Sequence, residues 1–454
     1  MPYAGRVNSR GAATAAVVTG AAAGALVAFV HYAVVGLLLA SALVCVSRRR
    51  AVLVLTLAFV PLLIDSGLIN QIAKIGAGST LQKFAALAWI LVLLMIVGTR
   101  RPPIPVLWLH GLFAVSLMAT IYRIPNGLPV DNETALRATV GYIFPWVIFS
   151  AAWRKITPEQ VMEVVALLPA LALLVGVGLD AAGLNPLIWQ EYTGAFRLTG
   201  GLAAAYLGSF GMFGAFAAIW LWRSGVRHGL WLAVTNIAVT FATATRGASL
   251  AVLVMLLGAV MFTGRGGRRV AAVTRGAVVA AVLAAVAVFV PLFLERTTSQ
   301  GSLQGPLSGR DLAWSYFWNV FTEHPLLGNG IGAASVAGKE SGDSLITAAF
   351  VAPHNTYLQF LVDFGVIGAS VALVAVGTLF KHTRQRTTGH TRMMVGVLAV
   401  SLAFYAFFDN LLTSPQPALA FTVVLATLMA HGDQVEDGQR PPERGAAQAQ
   451  CHVA

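Results

Sequence analysis

The chain has 454 residues, 57% of them hydrophobic and 11% charged, with a formal net charge of +12. A soluble domain carries about 25% charged residues, so this composition excludes a water-soluble globular protein. The basic residues sit in short clusters between apolar runs, which is the pattern of cytoplasmic loops and not of a nucleic-acid surface.

Apolar runs occupy residues 13–30, 33–46, 51–64, 84–98, 104–122, 138–152, 161–179, 201–222, 229–244, 248–263, 270–294, 355–380, 393–411 and 416–431. Several approach the ~20 residues that cross a bilayer. The fold class is therefore all-α: a polytopic membrane helical bundle of twelve to fourteen spans with one large extracytoplasmic loop. The first run follows Arg6 and Arg10, has no clear cleavage site, and reads as a retained span. Residues 1–294 hold transmembrane helices 1 to 11. Residues 295–354 form the extracytoplasmic loop with an amphipathic helix, 355–431 the C-terminal spans, and 432–454 a polar, disordered cytoplasmic tail. Cys45 in an apolar run and Cys451 in the tail imply no disulfide and no Cys-based metal site.

With the N-terminus in the cytoplasm and the runs alternating, most of the 30 Lys and Arg residues fall inside. Arg197, Arg246, Arg310 and His354 fall outside. ATP and sugar nucleotides are absent on that side, so a glycosyl donor used there must be lipid-linked.

Taken in chain order, Arg197 lies in AFRLTGG at the outer edge of a span. Arg246, in TATRGASL, is squeezed between two spans with almost no loop, where Gly247 is expected to supply the turn. A turn needs no guanidinium. At membrane depth a charge costs ~2.5–3.5 kcal/mol near a helix centre and less near the ends. An anionic ligand fits it, because Arg offers phosphate a fork of donors; the plain alternative is a topology-neutral turn residue.

The long polar stretch opens with SGRDLAWSYFWNVFTEHPLLGNGIG from Ser308. Arg310 starts a helix with Trp314, Phe317, Trp318 and Phe321 at helical spacing, which suits a membrane surface. That helix ends at His324-Pro325, and Gly328, Gly330 and Gly332 permit tight turns. The plain alternative for Arg310 is a snorkelling interfacial residue. The stretch closes with PHNTYLQFLVDFGVIG. Asn355 is a candidate N-cap for the span that follows. His354 then stands at the positive end of a helix dipole, which favours a neutral imidazole able to accept a proton. Its plain alternative is a histidine that only packs at a helix start. Asp363 and Asp409 lie within or at the ends of apolar runs, where ion pairing suits them better than proton transfer.

Two strings mislead. Gly342-Asp343-Ser344-Leu345 spells the signature of a hydrolase family, but it lies outside any strand–helix alternation. Gly328, Gly330 and Gly332 follow no strand, so they are no dinucleotide fingerprint. Asp65 stands alone in an early outer loop, where a metal-dependent lipid-linked glycosyltransferase would hold paired acids. No metal and no cofactor is expected.

These motifs resemble the O-antigen ligase / O-antigen polymerase family of bacterial envelope glycan enzymes. The resemblance rests on the Arg followed by an aromatic helix, HPLLGNGIG, HNTYLQFLVDFGVIG, TATRGASL and FRLTG. It covers roughly residues 180–412. FRLTGG runs on into AAAY, where many relatives carry an Asn-containing stretch. The resemblance implies a GT-C-like helical glycosyltransferase of the bacterial cytoplasmic membrane, working without metal on its outer face. Its donor would be a glycan on undecaprenyl pyrophosphate, and its acceptor a hydroxyl of a glycan, lipid or protein. Arg197, Arg246 and Arg310 would hold the pyrophosphate, and His354 would be the general base. Two other readings of the chain are a lipid-linked oligosaccharide flippase, whose charges would line a central path, and a peptidoglycan polymerase of the shape and division group, which depends on an outer-loop acid.

Overall fold

A computed structural model describes residues 50–261 and 310–439, apart from 75, 125–126, 154–155 and 191–195. The expected spans at 13–30, 33–46 and 270–294, the start of the outer loop at 295–309 and the tail at 440–454 lie outside the described residues. The described chain is a helical membrane bundle. Six of its helices are long and apolar enough to cross a bilayer.

The first described helix, α1 (Arg50–Phe59), passes into a 3-10 turn at Val60–Leu63 and meets α2 (Ser66–Ala73) at a 75° bend. Asp65 makes the corner, since its carboxylate accepts from the Gly67 N–H at 2.8 Å and caps α2. If the bent pair counts as one crossing, the spans number seven among the described residues. Next come α3 (Gly78–Val97), α4 (Ile104–Ile121), α5 (Asn132–Ile143) with a 3-10 extension at Phe144–Ser150, and α6 (Pro158–Ala181). Thr157 and Gln160 form a capping box at the start of α6, with Pro158 in its first turn. A two-stranded antiparallel hairpin, β1 (Ile188–Gln190) and β2 (Phe196–Leu198), leads to α7 (Ala204–Arg223).

The core forms around α7. Its apolar window is 89% buried, against 28% for α4, so α7 is the axis and α4 faces the surroundings. Two short apolar helices, α8 (Gly229–Ala242) and α9 (Arg246–Met261), pack on α7. α8, with 14 residues, is shorter than the length that crosses a bilayer, although the sequence reads a span there; the described part of α9 ends at residue 261, the last described before 310. After the segment that follows α9 come α13 (Thr356–Arg386), α14 (Gly389–Phe408) and α15 (Pro415–Gln439). The last of these runs past residue 431.

The segment between α9 and α13 builds a small core of its own. It consists of α10 (Arg310–Glu323), α11 (Ala333–Glu340) and α12 (Ser344–Ala349). The face of α10 formed by Ala313, Phe317, Val320 and Phe321 buries against Ala333, Ala334, Ala337, Ile346, Phe350 and the first turns of α13. The four aromatics expected on one surface face are therefore divided. Phe317 and Phe321 point into this core, and Trp318 is 52% exposed.

α13 is not one continuous helix. Gly365 adopts φ +62° and ψ −173°, which breaks the ladder. An unbroken 31-residue helix would run about 46 Å, longer than the about 30 Å of a bilayer core. The turn after α10 closes the break. Asn329 N–H donates to the Val362 carbonyl at 2.8 Å, and Gly330 N–H to that of Asp363 at 3.1 Å. In return Val366 N–H donates to the Pro325 carbonyl at 2.8 Å, and Ile367 N–H to that of Leu326 at 3.2 Å. A Cβ on Gly328 would stand 2.4 Å from the Gly365 nitrogen, so only glycine allows this contact. Irregular backbone in a span is tolerated where protein satisfies it, as happens here.

Candidate active site

The start of α13 carries His354. Asn355 caps the helix, its Oδ1 accepting from the N–H groups of Tyr357 and Leu358 at 3.0 and 3.1 Å. The predicted cap is therefore present. His354 sits one residue earlier with φ +47°, in the left-handed region. That conformation costs a non-glycine residue roughly 1–2 kcal/mol. Such strain survives where the surroundings over-determine it, and it concentrates at functional sites. The His354 ring packs edge-on to Phe350 at 5.9 Å.

Opposite His354 lies Asp409, just beyond the end of α14. His354 Nδ1 is 3.6 Å from Asp409 Oδ1, an ion-pair distance longer than an ordinary hydrogen bond. The His354 side chain is 34% exposed and that of Asp409 only 9%. The imidazole is thus reachable and the carboxylate sits behind it. Asp409 Oδ2 accepts from the Tyr405 hydroxyl at 3.1 Å, and Oδ1 from the Asn410 N–H at 2.8 Å. Burial pushes the Asp409 carboxyl up. Contact with His354 and the charges of His354 and Arg310 pull it further down, leaving it below the ordinary carboxylate range. Arg310, the first residue of α10, is therefore close enough to act on the same carboxylate.

Arg197 and Arg246 approach from the other side. Arg197 lies on β2, paired with Trp189. Its Nε donates to the Thr243 carbonyl at 2.9 Å and its Nη2 to Thr245 Oγ1 at 3.1 Å, in the turn between α8 and α9. Arg246 opens α9 directly after that turn. The tight turn expected at Gly247 is made instead by Ala244, with φ +50°. Gly247 lies inside α9, where a Cβ would come 2.9 Å from Cβ of Phe408 and 3.3 Å from the Tyr405 ring. Its small size lets the start of α9 close on the end of α14, one residue before Asp409.

Close approaches therefore run from Arg197 to the α8–α9 turn, from Gly247 to Phe408 beside Asp409, and from Asp409 to His354. All of them lie at one end of the bundle. Asp409 was legible as an ion-pairing acid, but its partners, His354 foremost, were not. Tyr405 and Asn410 were missed. The only available signal was a polar Asp-Asn pair interrupting FYAFFDNLL.

Residues 231–373 match the family model described as O-antigen ligase. Over this stretch the chain is similar to the O-antigen ligase family. The matched residues include α9, most of α8, α10 to α12 and the first half of α13, and so contain Arg246, Arg310 and His354. Arg197 and Asp409 lie outside the matched residues. No curated protein matches the chain. The match supports a multi-pass membrane enzyme of the glycan ligase or polymerase type.

Proposed function

We propose that the protein is a metal-independent glycosyltransferase that moves a glycan from undecaprenyl pyrophosphate to an acceptor hydroxyl on the outer face of the bacterial cytoplasmic membrane. The observation that carries this reading is the convergence of a reachable imidazole backed by a buried carboxylate with the Arg-bearing elements β2, α9 and α10.

The acceptor hydroxyl has a high pKa, so a positioned base lowers the barrier, typically by ~10²–10⁴-fold. With Nδ1 of His354 turned to Asp409, Nε2 is left for the acceptor proton. The acceptor oxygen attacks the anomeric carbon, the bond from that carbon to the pyrophosphate oxygen breaks, and the proton passes to Nε2. Asp409 steadies the imidazolium that forms. Negative charge grows on the lipid pyrophosphate as it leaves, and Arg246 and Arg310, with Arg197 behind them, neutralise it. Preorganised donors of this kind are worth ~3–4 kcal/mol each.

A single displacement inverts the anomeric centre, and the arginines take the place of a divalent ion. Product from purified protein is expected to carry the inverted linkage at an undiminished rate in excess chelator. A retained configuration, or a reaction stopped by the chelator and restored by a divalent ion, would overturn the scheme.

A further inference from the structure

The peptide that carries His354 is gripped from both sides. Ahead of it, the Trp314 indole N–H donates to the Pro353 carbonyl at 2.8 Å. Behind it, Asn355 N–H donates to Asn410 Oδ1 at 3.1 Å. Thr356 adds two bonds to the Asp409 carbonyl, from its N–H at 3.2 Å and its hydroxyl at 2.8 Å. Two elements, α10 and the turn after α14, thus hold one strained residue.

We propose that Trp314 and Asn410 are positioning residues that lock His354 in its left-handed conformation with the imidazole beside Asp409. The proposal rests on the reading of His354 as the general base. Each gripping group is itself fixed. The Trp314 ring meets Phe407 edge-on at 5.2 Å. The Asn410 N–H is spent on Asp409 Oδ1, and its carbonyl accepts from Ser414 N–H at 3.0 Å.

Trp314 also has a second role. It stands four residues after Arg310 on α10, one turn along the same face. The helix that brings a guanidinium to the leaving group therefore also holds the backbone of the base. A shift of α10 that spoils one spoils the other. The indole ring alone would serve packing against Phe407; only its N–H reaches Pro353. The choice of Trp over Phe at this position is explained by that bond.

Trp314→Phe keeps the ring contact and removes the donor. The experiment uses full-length protein in lipid nanodiscs, with lipid-linked glycan extracted from the host's own membranes as donor. Trp314→Phe is expected to lower kcat at least tenfold, to leave the donor KM within about twofold, and to melt within a few degrees of wild type. Unchanged kcat would overturn the proposal, as would a fall in kcat matched by loss of the folded fraction. A second measurement needs no turnover. Hydrogen exchange at the Asn355 and Thr356 amides should quicken in Trp314→Phe and in Asn410→Ala, and unchanged exchange in both would refute the lock. If wild type transfers nothing while exchange responds as expected, the functional reading fails and the lock stands.

Discussion

Two buried carboxylates lie close to the segment before α13, and they are held in opposite ways. Asp363 sits at the break in α13. It accepts from the Tyr142 hydroxyl at 2.7 Å and from the Ala334 N–H at 2.8 Å, both neutral donors. Those two bonds tie α5, α11 and α13 together where the loop docks. Asp409 faces a histidine 3.6 Å away and feels the charge of Arg310. The first arrangement is closed, with its donors supplied by the fold. The second leaves a third-exposed imidazole at its front. A buried acid that faces neutral donors clamps structure; one that faces an accessible base and a cation is available for chemistry.

Substitutions can break or sharpen this contrast. The largest effect is expected from His354→Ala, which should reduce transfer by ~10²–10⁴-fold while the protein still inserts in the membrane, as fractionation with a transfer assay would show. Arg310→Lys keeps the charge but loses the fork, and should cost ~10²–10³-fold in kcat, measured at saturating donor. Asp409→Asn should slow transfer less than His354→Ala, and should melt below wild type at neutral pH. It should also alter the acid response. The Asp409 carboxyl is depressed in the folded protein, so its contribution to stability is present at neutral pH and is lost as pH falls through that lowered value. Thermal melts across the acid range should therefore fall more steeply in wild type than in Asp409→Asn. The smallest effect on transfer is expected from Tyr142→Phe. It leaves an oxygen of Asp363 without its donor, which should destabilise by about 1–3 kcal/mol with the rate per folded molecule unchanged. A collapsed rate in Tyr142→Phe, or a normal one in Asp409→Asn, would erase the distinction.

Much of the described segment before α13 was legible in the sequence because its signals are local. Asn355 caps its own helix two and three residues on, the helix from Arg310 stops before His324-Pro325, and Gly328, Gly330 and Gly332 take positive φ values as expected. What was hidden depends on distant partners. Nothing near Gly365 announces that the turn at 325–330 will bond into a broken span. The hairpin around Arg197 lacks an alternating pattern. Ala244 is an ordinary residue in a conformation suited to glycine, so the turn was assigned to the nearest glycine, which serves close packing instead. The pairing of His354 with Asp409 joins two helix ends that only the folded bundle brings together.

The central claim is that His354 acts as a base for glycan transfer. The most direct measurement is transfer by purified His354→Ala protein in lipid vesicles, with and without added imidazole. The account predicts transfer reduced ~10²–10⁴-fold without imidazole and partial recovery with it, because the site is open enough to admit the free base. Transfer at the wild-type rate in the absence of imidazole would contradict it.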